Sequence, residues 1–359
     1  VTFTVADDAL IEGSETATVA ISNPSAGIFL GTNTTQNIAI TDNDFPAVNL
    51  SVTPTTGTET GTTAITVTAT ASQSVVGAQT VNLALTGTAS AADFTGAIPA
   101  QITIPNGSNT GQVTLTVNDD NLVEGTETAT LTISNPSSGI LLGTTTNQSV
   151  AITDNDKAGI TITPTTGLTT TEAGGGKATF TVKLDSQPTA NVTIPLTSNN
   201  TAEGTVDRSS VTFTPANWNA AQTVTVTGVD EFVADGDRAY QIIAAADTTT
   251  ADVNYKNLKP ADVTLTNTDN DKAGITVSPI TGLTTTEAGG TATFTVKLDS
   301  QPTANVTIPL TSNNTAEGTV DRSSVTFTPA NWNAAQTVTV TGVDDLVVDG
   351  NVAYNIVTA

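Results

Sequence analysis

"VTFTVADDALIEGSETATVAISNPSAGIFLGTNTTQNIAITDND", residues 1–44, returns without a gap as "VTLTVNDDNLVEGTETATLTISNPSSGILLGTTTNQSVAITDND" at 113–156, an offset of 112 residues. A second version follows. "KAGITITPTTGLTTTEAGG" at 157 recurs as "KAGITVSPITGLTTTEAGG" at 272, an offset of 115, and Ala178–Asp230 is identical to Ala292–Asp344. Solenoid repeats have periods of roughly 20–50 residues, so periods this long are whole domains in tandem. Val1–Ser22 also aligns with Val338–Ala359, which puts Asp7, Asp8 and Gly13 on Asp344, Asp345 and Gly350. The stretch reads as a window on a longer repetitive polymer. Its expected parts are the C-terminal portion of a domain at 1–45 with its last three strands, a complete domain at 46–157, a complete divergent one at 158–272, and a divergent one at 273–359 lacking its last strand.

Within each period, short runs alternate between apolar and polar residues and are rich in Val, Ile and Thr. "AITVTATA" (64–71), "TVNLALTG" (80–87), "QVTLTVN" (112–118), "TATLTIS" (128–134) and "SVAIT" (149–153) are examples. That alternation predicts half-buried strands. Clusters of Gly, Pro, Asn and Asp punctuate the runs at intervals that suit a sandwich. The expected fold class is all-β, a tandem row of immunoglobulin-like antiparallel β-sandwiches set end to end in a rod. The linkers, such as "ITDNDKAGITI", contain no flexible Gly/Ser tract, which favours little slack between domains.

Composition narrows the chemistry. With 34 acidic and 10 basic residues the formal charge is −24. Nucleic acid and anionic membrane surfaces would repel such a chain. The sequence contains no Cys, His or Met. Disulfides, thiolate nucleophiles, imidazole ligands and Ser-His-Asp triads are therefore excluded. The lack of Cys is compatible with secretion, and no apolar run approaches the length of a membrane span.

The remaining chemistry is carboxylate, and it is concentrated. "VNDDNLVEGTETATLTISNP" (117–136) places Asp119, Asp120, Glu124 and Glu127 between two strands. Two like charges about 4 Å apart repel by roughly 4 kcal/mol at an effective dielectric near 20. Either the side chains splay into water as a solvated surface that discourages aggregation, or a cation sits among them.

The combination of "DDNLVEGTE" (119–127), the closing "TDNDKAGI" (153–160) and the earlier "GTASAADF" (87–94) resembles the Calx-beta domain. That family takes its name from the calcium-binding modules of sodium/calcium exchangers and recurs in tandem in large bacterial surface proteins. The resemblance implies calcium as the bound ion, held by carboxylates that several loops bring to one end of the sandwich. It implies Asp119, Asp120, Glu124 and Glu127 as ligands from the acidic loop, with the Leu122 carbonyl beside them. Asp154 and Asp156 follow the last strand, and Glu59 and Asp93 match acids from the first-strand region and the middle loop. Asn155 stands where the exchanger version has a third acid, which lowers the expected charge. The same resemblance marks Asp7, Asp8, Glu12, Glu15, Asp42 and Asp44 in 1–45. In 158–272 it marks Glu172, Asp230, Glu231, Asp235, Asp269 and Asp271, with Glu203 as a contributor. There Arg238 takes the place of Glu127, and the last copy has Val352. Calcium suits so many oxygens because it accepts six to eight of them at about 2.3–2.6 Å in irregular geometry.

Trp218 and Trp332, each in "TPANWNAAQTVTV", are expected to cap a sandwich edge rather than bind sugar, and Tyr240 and Tyr354 to form tyrosine corners. Two carboxylates suffice for a glycosidase. Acids that recur at the same strand ends in every domain speak instead for a chain that is not an enzyme. The reading is a calcium-stiffened segment of an extracellular or cell-surface fibre, adhesin stalk or matrix filament. Its partners are neighbouring repeats of the same chain and other copies in a filament, with no nucleic acid and no membrane span in this segment. The alternative is a calcium-dependent module that recognises carbohydrate or a protein through its loops.

Overall fold

The computed structural model describes residues 1–345, 347–348 and 350–359. It divides into two units, Val1–Lys157 and Ala158–Ala359. Among the described residues the only helical piece is the 3-10 turn Ala91–Asp93. No helix among the described residues is long and apolar enough to cross a membrane.

In the first unit, Glu15–Ala20 and Thr35–Ile40 form an antiparallel hairpin. The expected third strand of this fragment is not formed. Val1–Thr4 is irregular, whereas its repeat counterpart Val113–Thr116 pairs with Ala64–Ala71.

The sandwich that follows has two sheets. One orders Leu141–Leu142, Ala47–Thr53, Ala64–Ala71 and Thr110–Thr116; the other orders Thr56–Thr58, Asn147–Thr153, Glu127–Ser134, Gln79–Gly87 and Gln101–Ile104. Alternation does the sorting: in Ala64–Ala71 the side chains of Ile65, Val67, Ala69 and Ala71 are buried and the threonines between them face outward. The inward set joins Val48, Val81, Leu131, Ile133 and Ile152 in one core. Each fully buried side chain of this size contributes about 1.5–3 kcal/mol.

The sandwich is not wholly antiparallel. The chain breaks at Pro54, which has no N–H for a ladder, and changes sheets. Thr56–Thr58 then lies parallel to the last strand, with Thr58 opposite Thr153. Leu168–Thr171 repeats this against Val263–Thr268.

The second unit contains a sandwich of the same plan. Ile160–Thr163, Lys177–Leu184, Gln222–Gly228 and Gly204–Val206 form one sheet. Leu168–Thr171, Val263–Thr268, Arg238–Ala244, Val192–Ser198 and Ser210–Phe213 form the other. A third core, built around Phe294, Val296, Val325, Phe327 and Val338, belongs to residues 275–358. Within this unit Phe232 stacks on Trp332 at 5.7 Å between ring centroids, and the Gln301 N–H donates to the Phe232 carbonyl at 2.6 Å.

Candidate metal centre

Because Thr56–Thr58 and Asn147–Thr153 are parallel neighbours, the residues that follow both leave at the same end of the sandwich. The Glu59 N–H still bonds the Thr153 carbonyl at 3.2 Å, and Asp154–Asp156 lie just beyond. The loop between Thr110–Thr116 and Glu127–Ser134 opens at that end too. Asp93 is fixed beside it: its Oδ2 accepts the Ser90 N–H at 2.5 Å and its carbonyl accepts the Asn118 N–H at 2.9 Å.

The acids form two groups. Glu59, Asp119 and Asp156 each bring a carboxylate oxygen within 4.8 Å of the others, and so do Asp93, Glu124 and Glu127. Asp154 braces the loops around them. Its Oδ2 accepts the N–H groups of Glu124 (2.8 Å) and Gly125 (2.9 Å), and its Oδ1 that of Asp156 (2.7 Å). Asp120 turns back on its own loop, with Oδ1 taking the Leu122 N–H at 2.8 Å.

Electrostatically the two groups are strained. Burial, then the charges of Asp154, Asp120 and Glu124, push the Glu59 carboxyl up to about 7. Burial together with Asp120, Asp93, Glu127 and Asp154 does the same to Glu124, also to about 7. Burial also raises Glu127 and Asp156. Asp154 goes the other way: burial raises it, but the N–H groups of Gly125, Asp156 and Glu124 outweigh that and hold it low. Glu59 is only 4% exposed, and its Oε2, like Asp156 Oδ2, has no hydrogen-bond partner. A buried oxygen without a partner costs about 1–3 kcal/mol, more when charged. An all-oxygen donor set with such orphaned atoms fits a hard divalent cation of calcium's kind.

The second unit repeats the pattern with changes. Glu172, Asp230 and Asp271 form the counterpart of the first group, and Glu203, Glu231 and Asp235 that of the second. Glu172 is 1% exposed, and burial pushes it to about 7 against the opposing Asn270 N–H. Asp269 is the brace, accepting from Gly236 and Asp271 at 2.7 Å each. The sequence shows the match of Glu203 to Asp93 in "AEGT" (202–205) against "ADFT" (92–95).

In 1–45 the brace is Asp42, bonded by the N–H groups of Glu12, Gly13 and Asp44. Asp7, Asp8, Glu12, Glu15 and Asp44 line one open hollow with it. Among the described residues no three of these acids meet as closely as those of the two sandwiches.

Trp218 is half-buried against its core, as an edge cap should be. The tyrosine-corner expectation is corrected. The Tyr240 hydroxyl meets the Thr170 hydroxyl at 3.0 Å, and Tyr354 meets Thr285 at 2.7 Å, both side chains rather than backbone. It is Tyr255, 1% exposed, that bonds backbone: its hydroxyl donates to the Ser186 carbonyl at 2.7 Å and accepts the Ser186 N–H at 3.0 Å. No sequence signal marks it, because it lies in a polar loop with no strand period.

The Calx-beta domain model matches residues 41–156 and 269–358. The chain belongs to the Calx-beta domain family. Residues 178–230, outside the matched segments, are identical to 292–344 inside them. Among solved structures, the chain is similar to CBD12 from CALX1.2, with 17% identity over 60% of this chain and 98% of that one and a TM-score of 0.29. It is also similar to the calcium binding domain CBD12 of CALX1.1, with 22% identity over 55% and 80% and a TM-score of 0.30. Domains 4 and 5 of the S-layer protein SbsC show 21% identity over 43% and 69%, with a TM-score of 0.23. No curated protein matches the sequence.

Proposed function

We propose that this Calx-beta chain is a non-catalytic, calcium-binding structural segment of a long extracellular fibre, adhesin stalk or matrix filament. The observation that carries the calcium reading is the buried Glu59 Oε2, which has no partner within a cluster of like charge. Glu59, Asp119 and Asp156 would hold one ion, and Asp93, Glu124 and Glu127 a second. Glu172, Asp230 and Asp271 would hold another in the following sandwich. The ion supplies the positive charge these groups lack. Filled sites tie the segment Asp154–Asp156, where the chain leaves the sandwich, to the loops of its body, which supports a stiffening role. Tandem near-identical domains with short linkers support a polymer whose product is length. Extracellular modules bind calcium at about 10⁻⁴–10⁻³ M, which suits exposed sites of this kind.

The test is isothermal titration of the chelated chain with calcium, paired with thermal unfolding. Calcium at about 100 times its dissociation constant stabilises the fold by about 2.7 kcal/mol. The double change Asp119→Asn, Asp120→Asn should remove the chelator-sensitive part of the melting shift that arises in 46–157, while Trp218→Phe should leave it intact. Titration that shows no binding at millimolar calcium would leave the acids as a solvated surface.

A further inference from the structure

We propose that in the sandwich spanning 158–272 the second acidic group holds no cation, because Arg238 and Asn267 supply the positive charge and the donors that an ion would supply. The inference rests on the calcium reading above and narrows it to particular sites.

Five positions beneath this group change together between the two sandwiches. In the first they are Gly57, Phe94, Val117, Ala129 and Ile152, an apolar plug in which Phe94 bridges to Val117. The repeat and strand registers place Thr170, Gly204, Gly228, Tyr240 and Asn267 at the same points. The exchange conserves space. A Cβ on Gly204 would overlap the Tyr240 hydroxyl oxygen, so the Tyr240 ring needs the room that loss of the Phe94 ring leaves. A Cβ on Gly228 would meet the Thr171 carbonyl oxygen at 2.5 Å and Asn267 Oδ1 at 2.6 Å, so this backbone and Asn267 together need a glycine where the first sandwich has Val117.

The result is a buried polar chain. Thr170 Oγ1 donates to Asn267 Oδ1 at 2.9 Å and meets the Tyr240 hydroxyl. Asn267 Nδ2 reaches Glu203 Oε2 at 3.4 Å and the Val229 carbonyl at 3.1 Å. Asn267 and Thr170 are 0% and 1% exposed.

The acidic rim changes in step. Arg238 pairs across the strands with Asn267, as Glu127 pairs with Ile152, so the two exchanges are direct neighbours. The Arg238 Nε donates to Asp235 Oδ2 at 2.7 Å. Where the first sandwich has Asp93, Glu124 and Glu127 repelling one another with no cation in reach among the described residues, the second has the Asn267 amide beside Glu203 and Arg238 on Asp235, and the guanidinium also offsets part of the upward push that burial, Asp235 and Glu203 exert on Glu231. A divalent ion entering here would have to displace a guanidinium already in place and would meet its charge. The first group of this sandwich differs in charge: among the described residues Glu172, Asp230 and Asp271 have no basic partner, whereas both groups keep one oxygen without a donor, Asp271 Oδ2 and Asp235 Oδ1.

The test counts calcium on the full chain by equilibrium dialysis, for the native sequence, Arg238→Glu and Arg238→Gln, each checked for fold by far-ultraviolet circular dichroism. Removing the resident charge should raise the count by one ion per chain, with Arg238→Glu the tighter of the two. Terbium offers an independent readout: Arg238→Glu should gain sensitised emission that Tyr240→Phe, in the same background, reduces. A count unchanged in both variants overturns the proposal. A chain that binds no calcium in any form refutes the calcium reading itself, an outcome distinct from the first.

Discussion

Replacing Glu59 by glutamine separates the electrostatic argument from a merely structural one, because its expected effects have opposite signs with and without calcium. Glu59 is buried, its Oε2 has no partner, and burial with Asp154 lifts its carboxyl from an ordinary 4.5 to about 7. A folded-state value above the unfolded one means that the folded chain binds a proton more readily. Between pH about 4.5 and about 7 the calcium-free fold therefore loses stability as pH rises, and above about 7 the loss is complete. At about 1.36 kcal/mol for each tenfold change in proton affinity, the full cost is about 3 kcal/mol, an upper bound before the loops relax. The glutamine side chain has the same shape and no charge to bury. In chelator at pH about 8 the Glu59→Gln variant should melt several degrees above the parent, and at pH about 5 the two should nearly coincide. In millimolar calcium the order reverses, because the amide offers the ion only a neutral oxygen, and affinity should fall at least about tenfold. Calorimetric scans at the two pH values, with and without calcium, read all four cases. A variant that melts below the parent in chelator at the higher pH, or that calcium stabilises as much as the parent, would refute the reasoning.

Three further outcomes are expected. Asp154→Asn should loosen the acidic loop whether or not calcium is present, read as faster hydrogen exchange at the Glu124, Gly125 and Asp156 amides, because it disturbs the acceptor those three N–H groups share. Gly204→Ala should cost about 1–3 kcal/mol in urea unfolding, through overpacking against Tyr240, and adding Tyr240→Phe should recover part of it by removing the closest atom. Asp252→Ala should cost about 2–4 kcal/mol and expose 245–262 to protease, since its carboxylate accepts from the N–H groups of Asn254, Tyr255 and Thr189 and from the Thr189 hydroxyl.

The strands were legible because the local pattern and the final burial coincide. "AITVTATA" reads as a strand over 64–71 and is one over those residues, with every second side chain in the core. Thr56–Thr58 was not legible: "TGT" has no period, and its pairing with Asn147–Thr153 depends on a neighbour about ninety residues away. Val1–Val5 shows the converse. Its alternation is as good as that of Val113–Val117, yet a strand needs a partner to hydrogen-bond, and only the later copy has one.

At the acidic end, residue type and spacing marked the acids but could not divide their roles. Asp154, Asp269 and Asp42 spend their oxygens on backbone N–H groups in the same way in all three loops. The brace ties the acidic loop to the segment after the last strand, about thirty residues on, without an ion. Glu59 and Asp156 each keep an oxygen for which the protein provides no donor. In a sequence both kinds are simply acids beside a strand; what separates them is where their lone pairs point. The Arg238 exchange follows the same logic. In the sequence it is one lost ligand, and only the strand register shows that its partner across the strands is Asn267. Once joined, they connect the rim to Tyr240 through Thr170, and Tyr240 in turn needs the glycine at 204, features that a bare loss of charge at one rim position would leave without a cause.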